Sequence, residues 1–415
     1  MFTSTWGSIK HVFSNKNIVA ISITTTLMTI FQMAWQPYWS LWLTEELGAT
    51  IATVGLLSTI QSAEQLLTQL PGGLIADKFG RRKVIILGSI IRLVPPAIYL
   101  IATSWEHALI AVMFNASGNI YMPAFQAIIA ESLPSKQRGT GFGVYRAVTN
   151  IPRIFMPTIA GIVIDGLGYK DGVHLFNILQ LISVSVAIIL RSRLITETLE
   201  EKTEPKLNDE TTSPRSIFST FRDLPRSIWA MMLIATISGF AIRMVMTLLP
   251  IYAVEIIGLS NTEYGLAQTI LQLITTLLIM PIGVLSDRIG RKILIGIGEI
   301  LAPITTFLLI LVKDFPQYLA LQILTALCSA LGGRLRGFAG GAAWQALVAD
   351  LVPREKLGTV MGLISTVSGT VGTPSSMVGS YIWETQSPEA IFFISPIINA
   401  VTIPIVFFFV KEKKE

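Results

Sequence analysis

Long apolar stretches alternate with short polar loops along the whole chain. The stretches are rich in Leu, Ile, Ala and Gly, and they lack the every-other-residue alternation of a half-buried strand. A bilayer core about 30 Å thick is crossed by a helix of about 20 apolar residues. The pattern therefore predicts twelve membrane-crossing helices, near 17–43, 51–76, 84–103, 107–130, 139–165, 173–194, 226–256, 262–285, 292–312, 316–350, 357–383 and 388–410. Only helices and closed barrels satisfy their backbone hydrogen bonds in lipid, and the short dyad pattern of barrel strands is missing. The expected fold class is all-α and integral to the membrane. The tenth run is too long for one straight crossing. Its glycines around 332–341 predict a kink, an unwound turn or an interfacial bend.

Composition agrees with this pattern. Of 415 residues, 52% are hydrophobic and 14% charged, with a mean hydropathy of +0.63. A soluble domain carries about 25% charged residues, so a soluble enzyme, a nucleic-acid binder and a disordered chain are excluded. Cys328 is the single cysteine, and His11, His107 and His174 lie far apart. No intramolecular disulfide framework, cysteine zinc cluster or histidine-rich metal site is expected, and no cofactor. The phosphate loop G-x-x-x-x-G-K-[ST] is missing, as are HExxH and GxSxG sites. The chain therefore reads as a non-enzyme.

The net charge is +5, and where the cations fall explains it. They gather in the loops that follow even-numbered runs, at both ends and in the stretch from Arg191 to Arg226. The opposite side holds Lys170 and Lys313. Basic loops stay cytoplasmic, so both termini are expected there and no nucleic-acid partner is needed. The first 16 residues are amphipathic, and the run behind them is too long for a signal-peptide core, so no cleaved signal is expected.

The chain repeats itself. "EELGATIATVGL" at 45–56 matches "EIIGLSNTEYGL" at 255–266, with Gly48 over Gly258 and Gly55 over Gly265. "PGGLIADKFGRRKVIILG" at 71–88 matches "PIGVLSDRIGRKILIGIG" at 281–298, and "AIIAESLPSKQRGTGFG" at 127–143 matches "ALVADLVPREKLGTVMG" at 346–362. The expected domains are six-helix bundles at 1–194 and 226–415, joined by a polar cytoplasmic linker at 195–225. Parallel repeats of this kind build transporters with a substrate site between the halves.

These residues resemble the major facilitator superfamily. Its most diagnostic motif is a loop of the form G-x-L-A-D-x-x-G-R-[RK]-[RK] between helices 2 and 3. Gly73, Leu74, Ala76, Asp77, Gly80, Arg81, Arg82 and Lys83 fit it closely, and Gly283, Asp287, Gly290, Arg291 and Lys292 repeat it. The resemblance covers nearly the whole chain. It implies that Asp77 meets the start of helix 11, that Asp287 meets the start of helix 5, and that Arg81 and Arg291 tie the cytoplasmic loops into a gate. Glu131 and Asp350 are the expected partners. The alternative is a basic loop that anchors to anionic lipid and sets topology, and the two roles are compatible.

Ionisable residues inside a membrane face a cavity or one another. Here they are Glu64, Arg92, Arg146, Arg153, Arg243, Glu299, Arg334 and Arg336, with Asp165 near a helix end. Glu64 is a candidate proton carrier; the competing reading pairs it with Arg146 or Arg153. Arg146 and Arg153 share a helix face with Asn150 nearly between them. Glu299 is close enough to the cytoplasmic end to reach the interface. By resemblance, helices 1, 4, 7 and 10 line the cavity. That adds Gln32, Trp35, Gln36, Tyr38, Asn115, Asn119, Tyr121, Arg243, Arg334, Arg336, Trp344 and Gln345 as candidates, with helix packing as the alternative for each aromatic or amide. Pro157 and Gly161 occupy helix 5, where many drug antiporters of the family carry a G-x-x-x-G-P motif that is incomplete here.

The reading is a secondary transporter that moves a small solute by alternating access, ion- or proton-coupled, of a multidrug or small-solute efflux kind. The alternatives are an organic-anion importer or exchanger, suited by the arginines, and a non-transporting receptor or enzyme on the same fold. The expected partners are a small-molecule substrate, the bilayer and protons. The expected state is a monomer in a prokaryotic plasma membrane.

Overall fold

The computed structural model describes residues 15–121, 124–125, 128–129, 138–197, 224–332 and 342–412. Among them there are helices and turns and no strand. Among the described residues, seven helical stretches are long and apolar enough to cross a membrane.

Prolines and glycines decide where the apolar runs break. The first run is the helix Lys16–Trp35, a 3₁₀ turn Gln36–Tyr38 and the helix Trp39–Glu45. Pro37 has no N–H to give the helix before it, which explains the break. The third run divides into Arg81–Ile91 and Val94–Ile101 ahead of Pro95 and Pro96. The fifth and sixth runs are two helices within Arg138–Leu194, separated by a non-helical turn at Gly168 with φ 80°. The seventh run is Arg226–Met246, followed by Leu249–Ile251 and a π-helical turn Tyr252–Ile256. In the tenth run the helix Phe315–Leu331 ends at Gly332 and Ala342–Leu351 follows; the glycine-rich stretch at 333–341 lies outside the described residues.

The chain forms two compact units. Unit 1 comprises Met1–Thr53, Ile60–Thr203 and Ser260–Thr269; unit 2 comprises Val54–Thr59, Glu204–Leu259 and Ile270–Glu415. The core of unit 1 includes Ile21, Ile85, Tyr121, Phe125 and Ile128. That of unit 2 gathers Ile228, Met231, Ile234, Trp344, Leu347 and Val406. Trp344 is thus a core residue. Large apolar side chains also face outward, among them Leu67, Ile182, Met280 and Phe408. Water would penalise such a surface, whereas lipid is as apolar as the side chains themselves.

The repeated glycines have a common cause in each copy. A Cβ on Gly265 would stand 2.4 Å from the carbonyl oxygen of Pro157 in unit 1, and one on Gly55 would stand 2.8 Å from that of Ser376 in unit 2. Both positions are close backbone approaches that only hydrogen fits.

Candidate functional site

Unit 1 contains an open pocket. Five amides reach it: Gln32 and Gln36 from the first run, Gln61 from Ile51–Phe79, Asn115 from Trp105–Ser117 and Gln180 from Arg138–Leu194. Trp35, Trp39, Pro95 and Tyr99 complete the wall. No charged side chain lines it among the described residues. The aromatic side is built edge to face: Trp35 stands 5.7 Å from Trp42 and 5.3 Å from Tyr99, and Trp42 stands 5.4 Å from Tyr99. Such contacts hold ring orientation more tightly than aliphatic packing does.

Three cations of unit 1 are held by neutral groups, one of them through the pocket residue Gln32. Arg92 Nη2 donates to Gln32 Oε1 at 2.5 Å, and Nη1 donates to the Tyr121 hydroxyl at 3.0 Å. Arg191 is fully buried; it donates to Thr24, Ser89 and Thr25 at 3.0, 2.7 and 3.1 Å. Its guanidinium also sits 5.0 Å from the centre of the Tyr121 ring, a cation–π contact. The charge pattern alone assigns Arg191 to the cytoplasmic basic stretch; in the fold it is a core residue. Arg153 donates to Asn150 Oδ1 at 3.1 Å and to Met33 Sδ at 3.0 Å. No Glu64–Arg153 ion pair is present among the described residues, and the side chain of Arg146, the other partner considered, lies outside them. Glu64 Oε1 instead accepts from the Ser117 hydroxyl at 3.1 Å and the Ser117 N–H at 3.3 Å.

The start of the helix Asn261–Ile289, which belongs to unit 1, is capped by Asp165. Oδ1 accepts from the Asn261 N–H and Nδ2 at 3.1 and 3.0 Å, and Oδ2 accepts from the Thr262 N–H and hydroxyl at 2.8 and 2.6 Å. A carboxylate there satisfies orphan amides and favours the helix dipole. The Tyr38 hydroxyl lies 2.8 Å from the carbonyl oxygens of Pro157 and Asn261, so it braces this helix start and takes no place in the pocket.

In unit 2, Arg291 forms ion pairs with Asp350 and with Asp287, the latter at 3.4 Å, and donates to the Ala346 carbonyl at 3.1 Å. Gly290 precedes it with φ 102°, a conformation costly for any residue with a Cβ. The turn aims the first N–H groups of Arg291–Leu308 at one carboxylate: Glu412 accepts from the Arg291 and Lys292 N–H groups at 2.7 and 3.2 Å. The first motif copy has a parallel contact. Gly80 has φ 89°, and Glu197 accepts from the Arg82 N–H at 3.0 Å. Neither glutamate stands inside the motif, which is why motif matching misses them.

Arg243 lies against Gly372, where a Cβ would approach its guanidinium. Glu299 does not reach an interface: it is 1% exposed. Its Oε2 accepts from Ser238 at 2.8 Å and from Thr402 at 2.7 Å. The side chains of Asp77, Asn119 and Arg146 lie outside the described residues, as do Glu131, Arg334 and Arg336 altogether.

The helical units, lipid-compatible surface and repeated basic turns define a multi-pass membrane transporter of the two-repeat kind. The family model described as Major Facilitator Superfamily matches residues 21–261 and 231–415. The chain belongs to that family. An uncharacterized MFS-type transporter of Methanocaldococcus jannaschii is 25% identical over 398 residues, covering 94% of this chain and 93% of that one. Multidrug resistance protein 2 of Bacillus subtilis is 25% identical over 308 residues, 70% of this chain and 75% of that one. The solved nucleoside transporter NupG shares the fold, with a TM-score of 0.75 at 14% identity over 95% of this chain and 100% of that one.

Proposed function

We propose that the chain is a secondary active exporter of small organic solutes, driven by a proton gradient, with its solute site at the pocket of unit 1. The observation that carries this reading is the wall of that pocket: five amides and three aromatic rings, with no charge among the described lining residues. Such a wall offers hydrogen bonds and ring faces to varied solutes, as binding sites for small organic molecules do. The multidrug name of the Bacillus subtilis relative supports export of such solutes. Glu64 carries the coupled proton in this reading. Its Oε1 accepts from the Ser117 hydroxyl and N–H, which holds the carboxyl against the end of the helix Trp105–Ser117.

The two repeats, 1–194 and 226–415, move about the linker 195–225 and expose the site to each side in turn. The repeated turns at Asp77, Arg81 and Arg82 and at Asp287 and Arg291, with Glu131 and Asp350, form and release cytoplasmic contacts as they do so. Both termini face the cytoplasm of a prokaryotic cell, the monomer is the working unit, and no covalent bond is made or broken.

Proteoliposomes with an imposed pH gradient test this. A lipophilic cation, a neutral heteroaromatic compound and an aromatic carboxylate form the panel. Solute flux tied to proton counterflow, and uncoupled in Glu64→Gln, is the expected result; flux indifferent to the gradient removes the coupling. A second reading, an organic-anion carrier, is favoured by Arg153, which is engaged by a neutral amide and a thioether. Selective flux of the carboxylate, lost in Arg153→Gln, selects it.

A further inference from the structure

In the interior of unit 2, two hydroxyls stand among more acceptors than they have hydrogens. The Thr402 hydroxyl is 2.7 Å from Glu299 Oε2 and 2.7 Å from the Asn399 backbone carbonyl oxygen. The Ser238 hydroxyl is 2.8 Å from Glu299 Oε2 and 2.8 Å from Asn399 Oδ1. All four residues are buried, Glu299 at 1% exposure and Thr402 at 0%. Ser238 comes from Arg226–Met246, Glu299 from Arg291–Leu308 and Asn399 from Ala390–Ala400, and Thr402 opens Thr402–Phe409. Four helices therefore converge on one carboxyl.

A hydroxyl has one hydrogen to donate and lone pairs with which to accept. The contacts of Ser238 allow two arrangements, because turning the Asn399 amide presents Nδ2 as a donor. Those of Thr402 do not: a backbone carbonyl oxygen only accepts, and so does an ionised carboxylate. With Glu299 ionised, one hydrogen must serve two acceptors at equal distance, and it cannot lie straight towards both. With Glu299 protonated at Oε2, the carboxyl O–H donates to Thr402 Oγ1, and Thr402 donates to the Asn399 carbonyl. With Nδ2 of Asn399 turned to Ser238, Ser238 donates to Oε2, and all four contacts are made. Burial favours the same state, since a neutral acid is far less costly to bury than a carboxylate.

We infer that Glu299 is a proton-binding site in the interior of unit 2, its carboxyl hydrogen held by the Thr402 hydroxyl. Arg291 and Lys292 stand at the start of its own helix. Among the described elements packed against that helix, Phe315–Leu331 brings Tyr318 and Cys328, Ala342–Leu351 brings Asp350, and Ala390–Ala400 and Thr402–Phe409 bring no titratable group. Arg226–Met246 brings Arg226 at its start and Arg243 in its last turn. Asp350 is paired with Arg291. Cys328, in electrostatic contact with Glu299, donates its thiol hydrogen to the Gly298 carbonyl at 3.2 Å. Arg334 and Arg336 lie outside the described residues. Glu64 belongs to unit 1, so Glu299 is a second proton site and does not rest on the role assigned to Glu64.

Infrared spectroscopy of the full-length protein in lipid at neutral pH reads the proton directly. The expected result is a protonated-carboxyl C=O band that moves in D2O and is lost in Glu299→Gln. The same band shifts in Thr402→Val, which keeps the acid and the shape of its neighbour but removes the oxygen that receives its hydrogen. Glu64→Gln leaves that Thr402-sensitive band in place. Loss of a carboxylate band in Glu299→Gln, with the acid region unchanged, overturns the inference. Should Glu299→Gln fail to fold, Thr402→Val decides. A shift in the acid region supports the site, and a shift confined to the carboxylate region, or none, overturns it. Proton-coupled flux alongside such a failure leaves the exporter reading intact and removes only this site.

Discussion

Arg191 shows how a membrane interior accommodates a permanent cation without a described carboxylate. Three hydroxyls and two ring faces receive it. Replacement by Lys keeps the charge but substitutes a compact ammonium for a planar fork. Arg191→Lys is therefore expected to cost about 3 kcal/mol, the worth of charge-assisted bonds left unmade, read as a lower thermal midpoint in detergent. Gly265→Ala tests the close approach: the added Cβ meets the Pro157 carbonyl, and overpacking of this sort costs about 1–3 kcal/mol. The matched glycines were legible as a repeat, but their reason was not, because it depends on which backbones meet. Arg191 was misread for a related cause. A cation near the end of an apolar run looks like a loop residue, and its acceptors Thr24, Thr25 and Ser89 are distant in sequence.

Helix ends carry the clearest symmetry between the two motif copies. Glu197 and Glu412 each accept from N–H groups just after a left-handed glycine, at the starts of Arg81–Ile91 and Arg291–Leu308. Glu412→Ala is expected to remove about 1 kcal/mol of local stability. Faster amide exchange in the first turn of Arg291–Leu308, with the rest of the helix unchanged, would register it. The basic turns at Gly80 and Gly290 could be read from the chain as motif copies, whereas the break at Pro37 interrupts a run read as one crossing over 17–43. The two runs on either side of Gly168 could be read as separate helices, but the tightness of the turn there could not, since one glycine in a long apolar segment gives no sign of it. The pocket was half legible. Gln32, Trp35, Gln36 and Asn115 stand on runs assigned to a cavity, whereas Gln61, Tyr99 and Gln180 join them because of how helices are rotated, which hydropathy does not report.

For the molecule as a whole, the duplicated layout makes a topological prediction. Single cysteines placed at Lys78 and at Lys292, with Cys328 replaced by Ala, should both react with a membrane-impermeant maleimide from the cytoplasmic side and from no other. Labelling from opposite faces would break the equivalence of the repeats. A second whole-molecule expectation concerns the surface: with Met280 at 80% exposure and Phe408 at 78%, the protein should lose solubility on removal of detergent and recover it on return to lipid, which light scattering would follow.

The ring cluster of unit 1 has one more consequence. Trp35 and Trp39 both face the pocket, and Trp35 touches Trp42 and Tyr99 edge-on. Indole emission shifts in colour with the polarity around it, so the protein carries a built-in dye at the place where a guest would dock. Occupancy could then be followed by the protein's own ultraviolet glow, without attaching any label.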